Sequence, residues 1–235
     1  MFKKSNKNIE QKDKANSKLK RIDKHYLYAE IQSILNLEKG FLLTVKNLLI
    51  KPGQSVREFI HENREKYVKP MLFLILTSVI FTFIINSLDI NFSLFNIDKV
   101  RGFSGKIRSK EIGDWTQNNI GYSQLAMGVF IGLWIKLLYR KSNYNFYEIL
   151  VLLSFILGES FIILGTFILL TTILKSPIIG VIGIIMYFVY IVWGIGQFYG
   201  ENRIINYLKS LLAYVLGNIT YMMLMALLAY IFKFI

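Results

Sequence analysis

Five long apolar stretches, separated by polar connections of which only the first is long, constrain this chain more than any other feature. A helix rises about 1.5 Å per residue, so about 20 apolar residues match a hydrocarbon core about 30 Å thick. Residues 70–88, 121–139, 146–174, 177–199 and 205–234 reach that length. Inside a bilayer only helices and closed barrels satisfy their own backbone, and uninterrupted apolar runs without period-two alternation select helices. The expected fold class is all-α: a polytopic membrane protein, a bundle of about five transmembrane helices preceded by cytosolic amphipathic helices. Segregation along the chain also explains how 235 residues that are 54% hydrophobic can carry a formal charge of +13.

Most of the excess charge precedes the first span. Residues 1–24 hold nine Lys/Arg against three acids, with almost no large apolar side chains. Such a segment cannot bury enough surface to offset its ordering entropy, so it reads as a disordered basic tail. No apolar h-region follows it, which argues against a secretory signal. A solvated tail that sets topology is one reading; contact with anionic headgroups, worth about 1 kcal/mol per basic residue, is the other. Nucleic acid is disfavoured as a partner because no aromatics interleave with the basic residues.

Residues 25–69 carry helical apolar spacing at Leu27, Ile31, Ile34 and Leu35, and again at Phe41, Leu42, Val45, Leu48 and Leu49. Lys51-Pro52-Gly53 should end that helix. The next is expected to open at Ser55 with a Ser55–Glu58 capping box and to stop at a left-handed Asn63. These helices are too short and too charged to span, so they belong on the membrane surface or against the bundle. Placing the amino terminus inside puts 21 Lys/Arg on the inner side against 7 on the outer. The positive-inside rule therefore predicts a cytoplasmic amino terminus and an outside carboxyl terminus across the cytoplasmic membrane.

Charged side chains within a span cost on the order of 3 kcal/mol at its centre, so each invites a role. Lys136 and Glu148 flank the tight connection between the second and third spans and are placed to pair, pinning that turn or meeting a headgroup. Glu159 falls near the middle of the third span, with no cation at its depth. It must be protonated, face water or accept neutral hydrogen bonds. Asn218 lies at matching depth in the fifth span and is the expected contact, direct or through water. Glu148 and Glu159 are close to three turns apart, which suits either two structural carboxyls or a cation path. Gly128 and Gly132 form a GxxxG, and Gly180, Gly183, Gly194 and Gly196 punctuate the fourth span; close packing or oligomerisation follows from these, with Gly194-Ile195-Gly196 a place for the helix to loosen. Trp134, Tyr139, Tyr190, Trp193 and Tyr199 read as interfacial anchors.

Enzymatic chemistry finds little here. Zero cysteine removes thiol nucleophiles and thiolate metal sites, and the two histidines, His25 and His61, both precede the first span. No HExxH, phosphate-binding glycine loop or clustered magnesium carboxylates occur, so no catalytic residue, metal or cofactor is expected.

The juxtamembrane residues Gly40-Phe41-x-x-Thr44, Lys51-Pro52-Gly53 and Arg64-Glu65-Lys66-Tyr67-Val68-Lys69-Pro70, with Val56-Arg57-Glu58 between them, resemble a bacterial membrane family, the domain-of-unknown-function family 3667. Its pattern is Gly-Phe-x-x-Thr, Arg/Lys-Pro-Gly and Arg-Lys-x-Tyr-x-x-Pro before the first span, and Tyr144-Asn145-x-x-Glu148 resembles the start of a later one. Many relatives begin with a cysteine ribbon of zinc-binding appearance; a lysine-rich tail stands in its place here, so no zinc is implied. In topology the chain is also similar to the Yip family. The resemblance implies an architecture and no reaction. The reading that remains is a non-enzymatic protein that organises or binds partners, acidic proteins, a second copy or anionic lipids of the bilayer, through Arg57, Arg64, Lys66 and Lys69. The alternative is a small transporter or channel using Glu159.

Overall fold

A computed structural model describes residues 40–88, 120–200 and 203–232. The basic tail, the 25–39 stretch and most of the loop after the first span lie outside the described residues. Seven helices follow in order: α1 (Gly40–Ile50), α2 (Pro52–His61), α3 (Pro70–Ser87), α4 (Ile120–Leu138), α5 (Phe146–Leu174), α6 (Pro177–Gly200) and α7 (Ile204–Phe232). No strand occurs among the described residues, and α3 to α7 are long and apolar enough to cross a membrane. This is the architecture of a multi-pass membrane protein.

Prolines set three of the helix starts. Pro52, Pro70 and Pro177 each occupy the first turn, where a missing N–H costs nothing and the fixed φ suits the helix. The α5–α6 turn is tight: Lys175 takes a left-handed conformation (φ 50°), and the Ser176 amide returns to the Thr171 carbonyl at 3.3 Å. That state costs a non-glycine residue about 1 kcal/mol, which the turn's packing must hold.

α5 is the central post. It packs against α2, α3, α4 and α6, while α7 completes the bundle against α4 and α6. Of its span, 72% is buried, against 33–39% in the other four. Lipid tails are as apolar as Leu, so helices associate here by close packing rather than by the hydrophobic effect. Small residues permit that approach. Gly128 and Gly132 rest on Leu157, Phe146 and Leu153 of α5, Gly194 faces Ile156 and Pro52, and Gly196 faces Tyr207. The GxxxG is thus occupied within the chain, and α6 runs unbroken through Gly194 and Gly196.

α1 and α2 sit at the end of the bundle where α3, α5 and α7 begin and α4 and α6 finish. α1 buries Thr44 and Leu48 and exposes Leu42, Leu43, Leu49 and Ile50. A helix apolar on both sides is suited to partial insertion rather than to lying flat in water.

Candidate functional site

The segment that precedes the first span forms a clamp on the last turn of α6. Gly53 lies so close to α6 that an added Cβ would meet the Phe198 nitrogen at 2.4 Å and the Gln197 carbonyl carbon at 2.6 Å. Its amide donates to Gln197 Oε1 at 2.8 Å, and the Arg57 guanidinium donates to the carbonyls of Gln197 (2.7 Å) and Phe198 (2.9 Å). The final carbonyls of a helix lack intrahelical donors and sit at its negative end, so a guanidinium there satisfies both demands.

The rest of the segment closes on itself. Thr44 Oγ1 accepts the Val68 amide at 3.1 Å while donating to the Gly40 carbonyl at 2.7 Å. Glu58 receives Lys66 Nζ at 2.6 Å and Tyr67 Oη at 2.7 Å. Those two hydrogen bonds, Lys66 first, hold the Glu58 carboxyl below its ordinary range. The Glu58 bond raises Lys66, and burial followed by the Glu58 bond raises Tyr67. Tyr190 Oη reaches from α6 to the Leu48 carbonyl at 3.1 Å.

Two local expectations are corrected here. α2 opens at Pro52, not Ser55, and no Ser55–Glu58 capping box forms. The Ser55 hydroxyl instead donates back to the Lys51 and Asn47 carbonyls at 2.8 and 3.1 Å, tying α2 to α1. Asn63 is not left-handed; its side-chain oxygen accepts the amides of Glu65 and Lys66 at 3.1 and 3.2 Å, a turn that Asn favours.

The four basic candidates divide into two kinds. Arg57 is committed to α6 and Lys66 to Glu58, the one ion pair among the described residues. Arg64 and Lys69 are exposed, Arg64 with a long 3.4 Å contact to the Ile60 carbonyl. Lys46 and Lys51, which were not among the four basic candidates, are exposed as well.

Lys136 and Glu148 do not pair. Lys136 Nζ donates to the Tyr144 carbonyl at 2.7 Å. Glu148 closes a capping box with Asn145, each side chain bonding the other's amide, at 2.7 and 2.9 Å. The Asn-x-x-Glu spacing carried that signal in the sequence. Tyr139 and Tyr190, expected at the interface, are turned inward: Tyr139 Oη bonds the Asn206 carbonyl and Ser210 Oγ.

At mid-depth every span contributes polar groups. Thr77 and Ser78 of α3, Gln124 of α4, Glu159 and Ser160 of α5, and Asn218 of α7 are all buried. Tyr187 of α6 interacts with the side chains of Tyr214, Gln124 and Ser160. Glu159 is fully buried, within electrostatic range of Tyr190. No Glu159–Asn218 hydrogen bond forms: Asn218 Nδ2 donates to the Tyr214 carbonyl at 2.8 Å, and among the described residues Asn218 Oδ1, Gln124 Oε1 and both Glu159 oxygens find no hydrogen-bond partner. α7 packs against α4 and α6, which puts those helices between Asn218 and the central post. Hydropathy aligns residues by depth but leaves helix rotation open.

Residues 38–82 match the family model described as "Protein of unknown function (DUF3667)". That interval covers α1, α2 and most of α3, so the matched residues are those that build the clamp. No curated protein and no solved structure matches the chain, and the topological likeness to the Yip family gains no support.

Proposed function

We propose that this membrane protein is non-enzymatic, that its clamp end faces the cytoplasm, and that it binds anionic lipid headgroups there. One observation carries the reading. Lys46, Lys51, Arg64 and Lys69 are exposed and in no ion pair among the described residues, in the same segment whose first helix exposes Leu42, Leu49 and Ile50. Apolar side chains that enter a leaflet and lysines that reach back to its phosphates are complementary parts of one interfacial surface. Each basic group near such a surface is worth about 1 kcal/mol and is screened by salt.

Native mass spectrometry of the protein released from mixed nanodiscs tests this. Anionic lipid should be retained over neutral lipid, and the preference should fall in K46Q/K51Q/R64Q/K69Q and at high salt. Equal retention of both lipids, insensitive to salt, overturns it; capture of a second copy or of an acidic protein instead would assign the face to that partner.

The unpartnered oxygens of Glu159 favour a second reading, a small transporter or channel that uses this carboxyl. Replacing Glu159 with Gln should then abolish a pH-dependent flux in proteoliposomes. Unchanged flux in a folded variant removes that reading.

A further inference from the structure

At the clamp end, between α2, the α4–α5 turn and the last turn of α6, lies a cavity of about 430 Å³ lined by His61, Ser142, Tyr144, Glu148, Phe198 and Tyr199 among others. Two aromatic walls stand nearly perpendicular: Tyr144 meets Tyr199 at 85° with ring centroids 5.8 Å apart, and Phe198 lies 4.4 Å from Tyr144. Glu148 spends Oε2 on the Asn145 amide and belongs to no ion pair among the described residues. Three cations of the surrounding helices are already engaged. Arg57 is held by the α6 carbonyls, Lys136 by the Tyr144 carbonyl, and Lys209 lies 5.4 Å from the Tyr139 ring centroid. Glu148 supplies the carboxylate of the lining.

The Lys209 contact is informative beyond charge balance. Tyr139 stacks on Tyr199 at 3.8 Å, so the aromatic stack that holds an ammonium through one ring presents another ring to the cavity. Ring faces and a carboxylate together are the recognition chemistry of an ammonium group. The Tyr199 hydroxyl interacts with the Ser142 side chain at the cavity wall, and exposed Arg140 and Lys141 precede Ser142 in the turn. Those groups suit an oxyanion tethered to the ammonium.

We infer that this cavity binds an alkyl-ammonium group, carried by an aminophospholipid headgroup or by a free amine. The site is independent of the anionic-lipid surface and can fail or succeed separately from it. Binding of phosphatidylethanolamine, its N-acetylated form and phosphatidylglycerol to the purified full chain, with free ethanolamine and phosphoethanolamine as competitors, tests the inference. Phosphatidylethanolamine should bind at least about tenfold more tightly than the N-acetylated lipid, which keeps the phosphate and loses the ammonium. Glu148→Gln should remove that difference with little change in melting, because Gln still completes the capping box. Tyr199→Phe, which keeps the stacked ring, should weaken lipid binding by about threefold. Competition by micromolar ethanolamine supports the inference and names a free amine as the source; competition by phosphoethanolamine alone supports it and names the lipid headgroup. Equal binding of the native and N-acetylated lipids to the wild-type chain overturns it whatever the variants do.

Discussion

The clamp and the mid-depth layer use similar polar side chains and differ in how those chains are served. In the clamp, Thr44, Ser55, Arg57, Glu58 and Tyr67 all have partners, several of them backbone groups that a helix end would otherwise leave bare. At mid-depth, Glu159, Gln124 and Asn218 retain oxygens without donors. A satisfied polar network fixes one geometry, whereas unserved acceptors raise the energy of whatever geometry holds them. The comparison assigns positioning to the first region and makes the second the place where a substitution can relieve cost.

The largest test falls on Gly53. Gly53→Ala should cost about 3 kcal/mol because backbone, not a movable side chain, meets the new Cβ. Gly40→Ala is the control, since its Cβ would meet only Val68 Cγ2 at 3.8 Å. Similar melting of the two variants would show that the clamp is not sealed. Next, Arg57→Met should cost about 2 kcal/mol through loss of two charge-assisted bonds. Thermal melting in one fixed nanodisc composition reads both.

Glu159→Leu sharpens the other half of the contrast. Replacing a buried polar group without partners by an apolar one should leave stability unchanged or raise it by about 1 kcal/mol. A fall of about 2 kcal/mol would mean that donors do serve this carboxyl and that the two regions are alike.

The smallest effect is the pH dependence of the clamp. Glu58 is lowered by its bonds to Lys66 and Tyr67, so its contribution is present above about pH 4.5 and is lost as pH falls through the lower folded value. Lys66 is raised by its bond to Glu58, so its contribution is present below about pH 10.5 and lost as pH rises through the higher folded value. Glu58→Gln should flatten the acid limb of a melting-versus-pH curve. An unchanged limb would remove the trio from the clamp's energetics.

How much of this was legible follows from what hydropathy measures. Apolar runs report length and depth, so five spans can be read directly. They do not report which side of an all-apolar helix faces its neighbours, and for that reason Glu159 and Asn218 matched in depth without touching. Local motifs fared by their competition. Asn145-x-x-Glu148 formed a box because nothing else claimed either side chain. Ser55-x-x-Glu58 did not, because Pro52 had already opened the helix and Lys66 and Tyr67 took the carboxylate. That Arg57 would turn inward was not readable, since its acceptors lie 140 and 141 positions away.

That separation has a consequence for the order in which the molecule is made. Gly53 leaves the ribosome 144 residues before Gln197, the side chain that receives its amide. Until α6 has inserted, the clamp's receptor does not exist, and α1 and α2 have only α3 and α5 to pack against. Closing so long a loop costs only slightly more than closing a shorter one, so the delay is set by synthesis rather than by search. The clamp's bonds to α6 are therefore among the last in the bundle to form, and their formation reports that α6 has arrived.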